Sequence, residues 1–323
     1  MTPQGIGLVA RQEIRTRLRT GRWKALLVVW AVLVNGLAMM FRLALEMDDQ
    51  SDFGHSGVPM FGGVLLAVLI LTLLVTPALG AQAINGERER GTLAALQLTR
   101  LQPGDIVLGK LLAGWGTGLI VLLLTLPSLL LPVAEGAIGI GRAIVVLLVT
   151  GLLIGVSCAL ALGWSALLAR SITAVLMSYL TVFGLLVGTP LLFTIALPFT
   201  AAPTGSGYDR DHPERVWWML APNPVVVLAD AAPRLTRRTV QTPHGTFTES
   251  PPNDPLGGIS REVRDIREGD KGYIDRNDRD EDAGPVWPYG LAFDLALAGG
   301  ALWLSARRLR TPMYHVPRGV RVA

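Results

Sequence analysis

Cysteine is almost absent from this 323-residue chain: Cys158 is the only one, and it lies inside an apolar run. No intrachain disulfide framework or thiolate metal site can be built from a single thiol. Histidine is nearly as scarce. His55, His212, His244 and His315 all fall in polar connecting segments, so the apolar stretches hold no histidine-dependent proton relay or metal cage. Lysine is reduced to three residues against 26 arginines, a composition that fits a GC-rich bacterial genome. Charge is low overall, 17% of residues against 50% hydrophobic, and long stretches carry none, whereas residues 200–287 carry about half. That distribution excludes an ordinary soluble core and fits a polytopic membrane protein.

What is present is apolar length. Six segments, roughly 25–45, 60–84, 111–134, 143–168, 172–199 and 288–305, are each long enough to cross a bilayer core of about 30 Å, which needs about 20 residues per helix. The expected fold is therefore an all-α integral membrane protein of six transmembrane helices, with an N-terminal amphipathic interfacial helix and a long external loop before the last span. The first apolar run is too long for a signal-peptide core, and no small-x-small cleavage site follows it.

The short flanks set the orientation. Arg11, Arg15, Arg17, Arg19, Arg22 and Lys24 precede the first span against a single acid, Glu13; Glu46, Asp48, Asp49 and Asp52 follow it. Arg88, Arg90, Arg100, Lys110, Arg170 and the arginines of the 306–323 tail fall on the same side as the first basic cluster. Both termini are expected in the cytoplasm of a bacterial cell, with this chain multi-pass in the plasma membrane. Within residues 1–24, Leu8, Ile14 and Leu18, helped by Ala10, share one side of a helix with arginines around the rest. That spacing fits a helix lying in the interface on anionic lipid; a merely positive flank accounts for the arginines alone.

Residues 200–287 form the expected extracytoplasmic loop. Its stretch 216–232 is apolar but short and broken by Pro222 and Pro224, which points to an interfacial or re-entrant segment. Residues 233–286 carry no sustained apolar period and are expected to be mobile or only locally ordered. Gly114/Gly118, Gly151/Gly155 and Gly184/Gly188 are spaced for close helix approach, and Pro77, Pro127 and Pro190 are expected to kink their spans.

The most informative stretch is the coupling segment 85–110 between the second and third spans. Glu87-Arg88-Glu89-Arg90 leads into Gly91-Thr92 and a short helix bearing Leu93 and Leu96. Pro103-Gly104 ends it, and Asp105 is the expected N-cap of the helix that carries Lys110 back into the membrane. Leu93 and Leu96 share a face, and an apolar ridge flanked by charges suits a groove on a soluble partner. A solvated turn with local ion pairs is the alternative reading of Glu87–Arg90. Gly104 to Leu111 reads almost as a phosphate-binding loop, but Leu111 replaces the hydroxyl residue that would hold magnesium and no strand precedes it. ATP binding by this chain is therefore refused.

The pattern E-x-E-x-G-T-L, a short helix, a Pro and I-x-x-G-K opening the next span resembles type-2 ABC-transporter permeases, on Glu87, Glu89, Gly91, Thr92, Leu93, Pro103, Ile106, Gly109 and Lys110. The six-span topology and amphipathic N-terminal helix extend the resemblance over most of the chain. It implies that Glu87, Arg88, Glu89, Arg90, Gly91, Thr92, Leu93 and Leu96 form a coupling element seated in a cleft of a separate ABC ATPase subunit. ATP and magnesium would then sit on that partner, with no cofactor, metal or catalytic residue on this chain, and a second permease copy, identical or paralogous, would complete the translocation path. No nucleic acid is expected as a partner. Ala94 stands where the family is often acidic, and the external insertion is longer than the family minimum.

Within the spans, Asn35 and Asp294 are candidate path residues, since polar groups at that depth face a cavity or partner. Asn35 serves equally as an interhelical hydrogen-bonding residue, and Asp294 as a group reaching the external headgroups beside Trp287 and Tyr289. The functional alternatives are an ion-coupled secondary transporter, with Asp294 as its one intramembrane charge, and a membrane receptor or scaffold using the external loop.

Overall fold

The computed structural model describes residues 2–19, 21–47, 57–91, 101–203, 209–210, 212–235, 238–242, 245–249, 254–269 and 284–309. The described chain is overwhelmingly helical: α1 Pro3–Leu18, α2 Gly21–Glu46, α3 Gly57–Gly80, α4 Gln82–Glu89, α5 Pro103–Leu124, α6 Leu126–Ala134, α7 Ile140–Leu167, α8 Ser171–Phe183, α9 Thr189–Ala196, α10 Pro224–Ala231, α11 Pro255–Glu268 and α12 Trp287–Arg308. The exceptions are two short antiparallel pairs, Ala202–Pro203 with Asp209–Arg210, and Arg238–Thr242 with Gly245–Glu249 in the register Arg238↔Glu249. Six helical stretches are long and apolar enough to cross a membrane: Trp23–Ala44, Gly57–Glu89, Pro103–Leu124, Ile140–Leu167, Ser171–Thr200 and Trp287–Arg308. The protein is a multi-pass membrane protein.

Three of these spans are interrupted where proline removes a backbone donor or a neighbour takes over a bond. Pro77 lies inside α3, and the helix turns at Ala81 before resuming as α4. Pro127 lies in the first turn of α6, just after the break at Thr125. Pro190 follows a five-residue π turn, Gly184–Gly188. A π turn widens the helix by one residue and frees backbone groups, and here the side-chain amide of Asn223 donates to the Leu186 carbonyl at 3.0 Å.

The core is built around α3 and α7. Phe61, Leu65, Val68 and Leu69 of α3 meet Val146, Val149 and Leu153 of α7, and Leu129, Leu228 and Leu256 close the cluster. By contrast α2 and the α8–α9 span expose Val28, Val32, Leu176, Leu180 and Leu191, the expected state of helix faces solvated by hydrocarbon. Small residues let backbones approach. A Cβ on Gly163 would meet Ala301 of α12 at 2.9 Å, one on Gly118 would run into Ile154, and the Trp115 indole donates to the Gly151 carbonyl at 2.7 Å. The glycine pairs 114/118 and 151/155 thus lie along the α5–α7 contact. Gly184 and Gly188 do not: a Cβ at either meets nothing within 4 Å.

In the insertion 200–287, segment 216–232 runs from an exposed Trp218 to Val227, Leu228, Ala229 and Ala232, which are fully buried in the α3–α7 core. Within 233–286, α11 is an ordered amphipathic helix capped by Asp254, which accepts from the Gly257 N–H at 3.0 Å. Its apolar residues Leu256, Ile259, Val263 and Ile266 recur at helical spacing. Leu256 is driven against Gly62 of α3, where a Cβ would sit 3.0 Å away. The insertion is therefore a lid seated on the spans.

Candidate functional site

The site forms where α4 leaves the membrane. Its first-turn N–H groups have no intrahelical acceptors after the break at Ala81. Ser165 of α7 supplies one: its hydroxyl oxygen accepts from the N–H groups of Ile84 and Asn85 at 3.0 and 3.1 Å. At the other end the helix stops on Gly91 with φ +72°, and the Gly91 N–H returns to the Arg88 carbonyl at 3.2 Å. That left-handed ending favours glycine, because a Cβ there crowds the following carbonyl.

Between these two ends, three consecutive charged residues each hold a different part of the chain. Glu87 Oε1 accepts from Lys110 Nζ of α5 at 2.6 Å. Arg88 donates to the Leu168 carbonyl at the end of α7 at 3.1 Å and to Asn85 Oδ1 at 3.0 Å. Glu89 Oε1 accepts from the Ser171 hydroxyl at 2.6 Å and from its N–H at 3.3 Å, at the start of α8. Glu87 and Arg88 make their contacts partly buried, whereas Glu89 makes its own at the surface, where Arg90 and Gly91 are also exposed. Thr92, Leu93 and Leu96 lie outside the described residues.

Lys110 is the centre of the arrangement. Its side chain is 1% exposed, and Nζ also reaches Glu13 Oε1 of α1 at 2.7 Å. A lysine buried to this degree persists only when paired, and two carboxylates pair it here. α1 is further fixed by Asp105, which accepts from the Thr2 N–H at 2.9 Å and from the Thr2 hydroxyl at 3.3 Å. Val9 of α1 fills the space over Gly109, where a Cβ would lie 2.6 Å from the valine Cβ. Gly5 and Val9 of α1 are buried, whereas Leu8 is exposed. Asp105 is not the N-cap of α5. Gln102 holds that position, and Asp105, three residues on, accepts from the Gln102 N–H at 3.2 Å.

The two candidate path residues separate. Asn35 is consumed by its own chain: its amide donates to the carbonyls of Ala31 and Leu124, and its oxygen accepts from the Ser128 N–H and hydroxyl. It bridges α2 to the α5–α6 break, satisfying backbone groups which that break frees. Asp294 is fully buried on the α12 face that also carries Gly290, Leu291 and Ala298, and neither of its oxygens has a partner among the described residues. It faces the protein interior, not the headgroups.

On the opposite side of the membrane, Asp230 is the buried anchor of the lid. It accepts from Arg264 Nε at 2.5 Å, from the Ser260 hydroxyl at 2.8 Å, and from the N–H groups of Val286 and Trp287 at 2.6 and 2.8 Å. Burial works to raise its pKa, but the Arg264 bond and charge, the Trp287 N–H and the Ser260 hydroxyl outweigh that and hold it below the ordinary carboxylate value. Arg267 stacks over Trp217 and Tyr289 at 5.0 and 5.1 Å and donates to the carbonyls of Gly284 and Pro285. The sequence placed Lys110 in a motif and Glu13 in the N-terminal flank without pairing them, and gave Asp230 no role. The signal for Lys110 was its rarity, one of three lysines, at the mouth of an apolar helix. Among the described residues no three His, Cys, Asp or Glu side chains come together as a metal cluster.

Neither protein-family models nor curated protein sequences give a match to this chain.

Proposed function

We propose that this chain is the membrane-spanning half of an ATP-driven exporter of the type-2 ABC permease kind, moved by a separate ATPase subunit through the connection between α4 and α5. Both termini and that connection lie in the cytoplasm, by the excess of arginine on their side. One observation carries the reading. Adjacent in sequence, Glu87 holds Lys110 of α5, which in turn holds Glu13 of α1, Arg88 holds the end of α7 and Glu89 the start of α8. A displacement applied at residues 92–100 would be delivered to four spans and the N-terminal helix together. The stiff part is the Lys110 cluster, since separating the buried lysine from Glu13 and Glu87 would leave charges unpaired; Arg88 and Glu89 add hydrogen bonds to α7 and α8. ATP-driven closure of the partner would bias two global arrangements of the spans, which is coupling in the thermodynamic sense.

The residue roles follow. Leu93 and Leu96 form the docking ridge, Arg90 and Gly91 present it, and Glu87 to Glu89 transmit. Two copies of the chain, identical or paralogous, would enclose the path. Purification of the tagged protein in mild detergent tests the reading: a stoichiometric soluble ATPase should co-purify, and its reproducible absence would reject it. A second reading rests on Asp294. A fully buried carboxyl with no partner among the described residues suits an ion-coupled transporter, and that reading requires gradient-driven transport by the chain alone in proteoliposomes.

A further inference from the structure

A groove runs along the membrane part of the protein between α2 on one side and α3, α5 and α7 on the other. Trp23 and Lys110 line its mouth, on the side of the membrane where α1 lies; Trp30, Gly114 and Cys158 line its walls, and Val121 its far end. At 1.5 Å rise per residue, the eleven steps from Lys110 to Val121 span about 17 Å. That is close to the depth of one leaflet, about half of the ~30 Å hydrocarbon core. The lining is almost wholly apolar. Its threonine hydroxyls are turned back onto their own helices: Thr72 to the Val68 carbonyl, Thr76 to Thr72, and Thr117 to Ala113. Apart from the Trp30 indole N–H, which has no hydrogen-bond partner among the described residues, a ligand in this groove meets methyl and methylene groups along its length and charged groups only at the mouth.

The mouth has a sign. Lys24 is exposed beside Trp23, as are Arg11 and Arg15 of α1 and Arg19 just past its end. Lys110 at the mouth is shared by Glu13, the only acid in the first 24 residues, and by Glu87 of α4, so the positive charge of the rim is that of the exposed residues. An apolar slot one leaflet deep below a basic rim fits a two-part molecule: a hydrocarbon chain under a negatively charged headgroup.

We infer that the groove is a binding site for an anionic phospholipid of the leaflet on the α1 side, one acyl chain lying between α2 and α5 and the headgroup on Lys24 and Arg19. The site belongs to the membrane-embedded chain whatever drives it, so this inference stands apart from the export reading. The lipid would act as a wedge that sets how closely α2 approaches the α3–α5–α7 body.

Gly114 gives the test. A Cβ there meets only Cys158 Sγ at 3.8 Å, so a larger side chain grows into the groove, whereas Gly116, two residues on, faces open space with nothing within 4 Å. Full-length protein in vesicles carrying a phosphatidylglycerol or a phosphatidylcholine with a diazirine on one acyl chain is photolysed and the labelled residues are mapped. Phosphatidylglycerol should label the groove walls around Trp30, Gly114 and Cys158 in preference to phosphatidylcholine. Gly114→Leu should abolish that labelling and Gly116→Leu should leave it. Lys24→Gln and Arg19→Gln should each lower the preference for phosphatidylglycerol about fivefold. Those two exposed positions test the site independently of whether Gly114→Leu folds. Unchanged labelling in Gly114→Leu, equal labelling by the two lipids, or charge variants that keep the full preference would each overturn the inference.

Discussion

Replacing Lys110 with methionine removes one charge from a site where the side chain is 1% exposed and two carboxylates lie 2.7 and 2.6 Å from it. Methionine keeps the apolar stem, so packing over Gly109 changes little and the electrostatic loss dominates. Breaking a fully buried pair costs about 3–5 kcal/mol, because the abandoned partner stays desolvated. Here the partners are only partly buried, with Glu13 25% and Glu87 19% exposed. Water can reach both once the lysine is gone, which brings the expected cost to about 2–3 kcal/mol. The two carboxylates also repel across the site, so α1 should detach before the spans unfold. Hydrogen exchange of the purified protein should show faster exchange in α1 and α4, with the α3–α7 core unchanged. Glu13→Gln should loosen α1 alone, and Glu87→Gln should loosen α4 as well. A Lys110→Met protein with wild-type exchange in both helices would refute the claim that this lysine joins them.

Other expectations follow from the same geometry. Leu93→Asp with Leu96→Asp should abolish ATPase-driven export while insertion into the membrane stays normal, as read by transport and by membrane fractionation. Gly91→Ala should cost about 1–2 kcal/mol, since φ +72° crowds a Cβ, and thermal unfolding should report it. Asp294→Leu should raise thermal stability by about 1–3 kcal/mol, because it removes a buried carboxyl that has no partner among the described residues; a loss of transport in the same variant would assign Asp294 to the path. Asp230 has a depressed pKa in the folded lid, so its contribution is complete above the unfolded value of about 3.9 and is lost as pH falls through the lower folded value. Lid stability, followed by protease cleavage within 255–268, should therefore be flat from neutral pH down to about 5 and fall only in stronger acid.

The six spans were legible because each is an apolar run long enough to cross a bilayer, and hydrocarbon solvation leaves few other uses for such a run. Their ends were less legible. α5 begins at Pro103, before its apolar run, since Asp105 and Lys110 enter the protein already paired with Thr2, Glu13 and Glu87. Those partners are distant in sequence, and a charge count along the chain cannot see them. The charged turn at Glu87–Glu89 was picked out by its motif, but its grip on Leu168 and Ser171 depends on how α7 and α8 return to it. The helix α11 was missed for a different reason. Its four apolar residues keep the right spacing, yet Pro255, Gly257 and Gly258 and the buried Arg261 and Arg264 mask the pattern. What orders it is the complement of Asp230 and Asp254, again tertiary.

The central claim is that force enters this chain from a soluble ATPase through residues 92–100 and spreads from Glu87–Glu89. A photoreactive amino acid placed at Leu96, activated in intact cells, tests it most directly. The account predicts one dominant crosslink, to a nucleotide-binding protein on the cytoplasmic face, that weakens in Gly91→Ala. A crosslink confined to lipid, or labelling of Leu96 from outside the cell, would contradict it.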